Sequence, residues 1–582
     1  MHTHTRRTVL GASIAAVGAG ALGACTGSPS GSGAPSASGS PAGTATRTVS
    51  GSQPRPGPPA AAGPADRGSG HGTGHDAGRG TGRGTGSGDG FAGGRGARGL
   101  AGYVTPSGPE VEAAERERGY GPVRKFSLTA TEALLDLGGP TVRTWAYDGM
   151  LPGHEMRITK GDTFQLTFAN HLPQATTLHS HGIRLRCDMD GVPGLTQSSI
   201  RPGADFTYRF AVSHPGTYWV HSHSGMQLDR GLYAPLIVED PREPLSYDKE
   251  WVVVLDDWVD GVDGSTPDAV FAELSHGRGM ADMGEGTHGS GHGASGGAAG
   301  GATGPSRILH GARSRLLRSP GGHVAYPYYL VNGRVPEAPS VLRARPGDRI
   351  RLRIINAAAE TAFRVALGGH EMTVTHTDGY PVRHTRTDAL LLGMAERYDV
   401  LVTAKDGVFP LVALAEGKNA KALAVLRTGG GRRPGPGAHP SELDGRIVPA
   451  SRLVPHDSVA LCDRAPDREL RFRLTGDMKR FNWSFDRQPY SLERCHPIRQ
   501  GERVRVTLVN GTDMWHPMHL HGHTFALAGI GSAGARKDTA VVLPHRKLVI
   551  DFNADNPGLW MLHCHNQYHS ESGMMTLLGY RA

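Results

Sequence analysis

The sequence predicts an all-β protein, with three related β-sandwich domains behind a disordered N-terminal stretch. Three observations carry that prediction. At 582 residues the chain is long enough for three or four domains. One strand motif occurs three times. Helical periodicity is scarce, while short apolar or alternating segments such as 251–255 and 373–375 recur.

The motif reads Gly, an acid, alternating apolar residues, then Asn. Its copies begin at Gly161, Gly347 and Gly501 and end at Asn170, Asn356 and Asn510. Period-two alternation after a turn is the pattern of a half-buried strand. Copies 186 and 154 residues apart imply that a whole domain is repeated. This places the domains at 116–245, 246–435 and 436–582.

Residues 1–25 read as an address. Thr5-Arg6-Arg7-Thr8-Val9-Leu10 is a twin-arginine sequence. The uncharged stretch from Val9 to Ala24 has 16 residues, too few and too weakly apolar to span a membrane comfortably. It ends in Leu22-Gly23-Ala24-Cys25, which resembles a bacterial lipobox. That implies twin-arginine export, lipid attachment at Cys25 and a place on the outer side of the cell membrane. The alternative is a plain cleaved signal with an incidental Cys. A Gly/Pro/Ser-rich linker is expected over 26–115. Between 26 and 100 only Val49, Phe91 and Leu100 are large and apolar. Such a stretch cannot bury enough surface to offset its ordering entropy.

The net charge of +8 suggests nucleic acid until its distribution is read. Residues 1–25 carry +2 and residues 26–100 carry +4, which leaves +2 for the last 482. No folded basic face is implied, and nucleic acid is excluded as a partner.

The repeat locates the chemistry. Nine and eleven residues after Asn170 stand His179 and His181; the same offsets from Asn510 give His519 and His521. After Asn356 the matching place holds Val365. Five residues after Gly216 comes His221-Ser222-His223, and five after Gly558 comes His563-Cys564-His565; five after Gly407 stands Val412. In a strand, residues i and i+2 share a face, so each pair aims two imidazoles one way. One pair fits several metals. Four pairs at homologous places in the first and third domains predict one shared site.

The C-terminal cluster narrows the metal. His516, Cys564 and His569 offer two imidazoles and a thiolate, and Met574 follows. Two His, one Cys and a weak axial Met form the ligand set of a blue copper centre. Zinc sites with two thiolates need another Cys, and there is no Cys-X-X-Cys here.

At these residues the chain resembles the multicopper oxidases. His179-Ser-His-Gly182, His221-Ser-His223, His516-Pro-Met-His-Leu-His521 and His563-Cys-His-Asn-Gln-Tyr-His569 are similar to that family's four copper motifs. Gly138-Gly-Pro140, Leu255-Asp-Asp-Trp258, Thr375-His-Thr-Asp-Gly-Tyr-Pro381 and Ala535-Arg-Lys-Asp-Thr539 resemble actinobacterial copper-resistance oxidases most.

The resemblance covers about 120–582 and implies three cupredoxin-like Greek-key domains holding four copper ions. His516, Cys564, His569 and Met574 would form the type 1 site, with Cys564 receiving the electrons. His179 and His519 would hold type 2 copper. His181, His221 and His565 would hold one type 3 copper, and His223, His521 and His563 the other. Asp190 would supply protons near the cluster. Gln567 stands where some relatives have Glu, which leaves a second proton route open.

The implied reaction oxidises Cu(I), Fe(II) or a phenol one electron at a time and reduces dioxygen to water. A role in copper resistance is the leading expectation. A laccase-type phenol oxidase, a copper-sequestering protein and a copper nitrite reductase are the alternatives. The last usually has two such domains with its blue site in the first. Within 273–305, His276, Met280, Met283, His288 and His292 lie in a Gly-rich insertion that would either collect Cu(I) or be an incidental surface loop. A disulfide between Cys462 and Cys495 suits an exported protein, though Cys187 allows other pairings.

Overall fold

A computed structural model describes residues 100–276, 304–528 and 533–582. The signal, Cys25, most of the linker, and Met280, Met283, His288 and His292 lie outside the described residues. Each domain is a pair of packed sheets. In the first, a four-stranded sheet contains Val123–Asp136, Thr163–Asn170 and Asp205–Ala211. It faces a second sheet in which Gly216–Ser222 lies between Tyr233–Glu239 and Leu178–His181. The middle and third domains each pair a six-stranded with a five-stranded sheet.

The repeated motif forms the same strand each time: Thr163–Asn170, Arg349–Asn356 and Arg503–Asn510. Each lies parallel to the first long strand of its domain and antiparallel to a later one. The glycine at its start has φ of +95°, +89° and +84° in the three copies, a turn conformation open to glycine without strain.

The Asn at the strand's end has a structural task. Asn170 Nδ2 donates to the carbonyls of Gln174 and Ile200, both at 2.9 Å, and its Oδ1 accepts from Leu172 N at 3.0 Å. Asn356 donates to Thr361 O at 2.9 Å and Leu392 O at 3.2 Å. Asn510 donates to Met514 O at 2.6 Å and Val542 O at 3.2 Å. One buried amide thus ties the strand to the loop that crosses to the other sheet. In the first and third domains that loop delivers the histidines.

The structure departs from the sequence reading in two places. Residues 100–115, expected as linker, are packed. Val104 N donates to Tyr580 O at 2.8 Å, and Tyr103 Oη to Cys495 O at 2.6 Å. The helix Pro109–Arg118 buries Glu115, which accepts from Ala211 N at 2.6 Å. Tyr103, Val104 and Val111 supply the apolar anchors that the preceding stretch lacks. Second, Cys187, Cys462 and Cys495 are all free thiols, so the disulfide expected between Cys462 and Cys495 is not formed. Cys462 is exposed, while Cys187 is buried and donates to Leu559 O at 3.3 Å.

Replacing Asn170 with Ala strands two carbonyls and one N–H in a buried loop. We expect a loss of about 3 kcal/mol. Denaturant melts should report it, and an unchanged midpoint would refute the tying role.

Candidate metal centre

The histidine pairs occupy adjacent antiparallel strands. In the first domain His179 faces His221 across Leu178–His181 and Gly216–Ser222. In the third, His519 faces His563 and Met518 faces Cys564 across His516–Leu520 and Leu559–Cys564. The middle domain pairs Val365 with Ala413 at the corresponding strands and packs them as core.

The two histidine-bearing sheets meet. The rings of His181 and His519 stack at 3.8 Å, and those of His179 and His521 lie 4.0 Å apart. His223, His521 and His563 converge with ligand atoms within 4.8 Å of one another, as do His179, His181 and His221, and His179, His519 and His521. His565 joins the edge, 5.1 Å from His181 and 5.3 Å from His221 between ring centres. Separately, His516, Cys564 and His569 form a second buried group.

In six of the eight cluster rings one nitrogen is occupied. His179 Nδ1 donates to Asp190 O at 2.7 Å, His221 Nδ1 to Ser222 O at 2.9 Å and His563 Nδ1 to Cys564 O at 2.9 Å. His519 Nδ1 donates to Asp538 O at 2.9 Å, and His521 Nδ1 to Asp190 Oδ2 at 2.9 Å. His181 is turned the other way: its Nε2 donates to Asp538 Oδ1 at 3.1 Å. Inward-facing atoms are left without partners: Nε2 of His179, His221, His223 and His519, Nδ1 of His181, and both nitrogens of His565.

His521 and His563 point Nε2 at one another across 3.1 Å. Both rings already donate through Nδ1, so two lone pairs confront each other. Burial, then neighbouring imidazoles, holds His181, His221, His519, His521 and His563 well below the usual histidine range. His223 falls to about 4 and His565 to about 3, chiefly through burial. Neutral imidazoles whose lone pairs converge, each ring braced from behind, are built to hold a cation.

The second group has the same logic. His516 Nε2 is satisfied by Thr512 Oγ1 at 2.9 Å. Its Nδ1 faces His569 Nδ1 at 3.1 Å, and Cys564 Sγ lies 3.7 Å from both. Burial raises the Cys564 thiol and lowers His516 to about 3. Met574 is fully buried, and its backbone joins His569 O at 3.0 Å and Cys564 N at 3.1 Å. Two imidazoles and one thiol, with Met574 tied through its backbone to Cys564 and His569, fit copper better than zinc.

Sequence reasoning missed several residues of the site. Asp538 braces His519 through its carbonyl and His181 through its carboxylate. Arg397 of the middle domain grips that carboxylate with two bonds of 2.7 and 2.6 Å. A Cβ on Gly182 would sit 2.5 Å from both partners of this pair, which explains the Gly of His-Ser-His-Gly. Trp219 packs on His221 at 4.4 Å and His181 at 5.3 Å. Buried His323 meets His569 Nε2 at 2.7 Å. Asp190 is buried between His179 and His521, which meet its carbonyl and its Oδ2, and its turn is completed by Gly191 at φ +83°. Gln567 turns away and donates to Gly225 O at 2.5 Å.

Fold and site together define a copper-binding oxidoreductase built from β-sandwich domains. Family models described as multicopper oxidase match residues 129–243, 250–431 and 463–581. The chain is 47% identical over 491 residues to the multicopper oxidase MmcO of Mycobacterium tuberculosis, covering 83% of this chain and 92% of that protein. It is 30% identical to a copper resistance protein A homolog of Pseudomonas syringae, covering 77% and 91%. Among solved structures, the multicopper oxidase Fet3p superposes with a TM-score of 0.65 at 22% identity, covering 79% of this chain and 90% of that one. A laccase from Botrytis aclada superposes at 0.64 and 25%, covering 79% and 88%. The chain belongs to the multicopper oxidase family, and its reaction passes electrons from a small reductant to dioxygen.

Asp538→Asn should unbalance the buried Arg397 charge at a cost of about 3–5 kcal/mol. It should also loosen His181. Copper content per chain, measured by plasma mass spectrometry, should fall together with the melting temperature. Full loading and unchanged stability would deny Asp538 its bracing role.

Proposed function

We propose that the protein is an exported cuprous oxidase with four coppers that protects the cell envelope against copper. The observation that carries this reading is the position of Cys564 between His563 and His565, on one strand leading from the thiol group to the histidine cluster. His516, Cys564, His569 and Met574 would hold type 1 copper, and His179 and His519 type 2. His181, His221 and His565 would hold one type 3 ion, and His223, His521 and His563 the other. Bound copper supplies one-electron steps, so that four electrons and four protons convert one dioxygen to two waters.

The chain's own residues arrange this transfer. The Cys564 backbone continues directly into both flanking histidines, so electrons received at the thiolate need no diffusing carrier. Asp190 stands behind His179 and His521, its Oδ2 2.9 Å from His521 Nδ1 and its Oδ1 3.3 Å from His179 Nδ1, and is placed to relay protons to the cluster. Cu(I) is favoured as substrate because relatives at 30% identity, matched over 91% of their own length, are named copper resistance proteins. The insertion at 273–305 would collect Cu(I); its described His276 is exposed at the end of the helix Pro267–Ser275. Fe(II) or a phenol is the second reading, in line with the laccases among its relatives.

Cys564→Ser should abolish the intense visible absorption of the copper–thiolate bond and all oxygen uptake. His519→Ala should stop oxygen uptake while the blue centre is still bleached by reductant. A variant at His519 that loses only the blue band would reverse the division of ligands. Attachment at Cys25 has its own test: Cys25→Ser should move the protein from the membrane to the soluble fraction at equal specific activity. A mature N-terminus beyond Cys25 would exclude the lipid anchor.

A further inference from the structure

A cavity of about 610 Å³ opens beside the thiol group of the third domain. Its size suits a small molecule. Trp483 lines it, together with Arg473, Arg480, Arg487, Asp477 and Ser572. Trp483 is itself buried, and its ring lies 4.3 Å from His569 and 5.4 Å from His516. One indole therefore separates the cavity from both imidazoles beside Cys564. Its Nε1 has no hydrogen-bond partner.

The cavity carries three arginines against one carboxylate, Asp477. The guanidinium groups of Arg473, Arg480 and Arg487 make no ion pair or hydrogen bond among the described residues. Their backbone N–H groups are the bonded parts, to Asp486, Asp477 and Thr475. Asp477 turns its carboxylate onto the backbone of Lys479 and Arg480, both at 2.9 Å. Elsewhere the molecule pairs its arginines readily, as Arg468 with Glu502 and Arg505 with Asp551 on neighbouring strand positions. Arg487 is also held in the left-handed region, at φ +62°, which non-glycine residues rarely adopt. Three unpaired forks around one opening form a receptor for a planar or multiply charged anion.

We propose that this cavity binds small anionic electron donors and passes their electrons through Trp483 to the His516–Cys564–His569 site. The inference rests on the oxidase reading and names its substrate class. Suitable donors carry carboxylate or enediolate oxygens, or are metal complexes of net negative charge; Cu(I) would enter as an anionic complex rather than as a bare cation. Each donor loses one electron, any proton it releases goes to solvent, and four such events match one dioxygen reduced to two waters.

The test uses the copper-loaded full chain and the triple variant Arg473→Gln, Arg480→Gln, Arg487→Gln. All three arginines are exposed, so the substitutions leave the core untouched. Hexacyanocobaltate(III), a redox-inert trianion, should bind the native chain in calorimetry, more weakly as salt is raised, and should not bind the triple variant. In oxygen-uptake assays the variant's KM for hexacyanoferrate(II) should rise about tenfold, while its KM for the hexaammineruthenium(II) cation should fall. Arg473→Lys, which keeps the charge, should retain most of the trianion binding. Failure of the native chain to bind the trianion, or equal binding by the triple variant, overturns the proposal. Loss of binding in the variant, with neither donor supporting oxygen uptake, would uphold the anion site and remove the oxidase reading instead.

Discussion

Asp538 is the point on which the three domains depend. It belongs to the third domain, yet its carboxylate is gripped by Arg397 of the second and approached by His181 of the first. Its N–H and that of Thr539 donate to Asp378 of the second domain, at 3.1 and 3.2 Å. Lys537 meets Asp378 and Glu396, each at 3.1 Å. Buried charges are costly unless paired and hydrogen-bonded. Here every one is paired, but only when all three domains are in register. The same network therefore fixes domain packing and ring orientation.

Arg397 and Lys537 bring two positive charges to this network, and Asp378, Glu396 and Asp538 bring three negative ones. Burial raises the Glu396 and Asp538 carboxyls, and imidazole N–H donation from His181 to Asp538 Oδ1 offsets part of that cost. The outer nitrogens of most cluster rings are spent on carbonyls and carboxylates, so ring rotation is restrained before any metal arrives. That restraint lowers the ordering cost of coordination, which is how residues behind the ligands raise metal affinity.

Much of this was legible in the sequence, because the strand code is local. Period-two spacing put His179 with His181 and His519 with His521 on common faces, and the repeat told which domains carry them. The Asn that closes each repeat was visible as a pattern, though its task as a loop tie was not. Asp538, Arg397, His323 and Trp483 escaped for one reason. Each is a single residue whose partner lies far along the chain, 357 residues in the case of His181 and Asp538. No periodicity announces such a pairing. The segments 375–381 and 535–539 did stand out by family likeness, and Asp378 and Asp538 are what they contain. The start of the folded part was missed because Tyr103 and Val104 gain their anchoring only from strands near residues 495 and 580.

The cluster straddles a domain boundary: Asp190 and His521, in contact, are 331 residues apart. An ion held jointly by two domains binds only when both are folded and docked. Its binding energy is then also energy of domain assembly, about 4 kcal/mol when free ion exceeds Kd a thousandfold. A metal held in the cluster would therefore also lock the first domain onto the third.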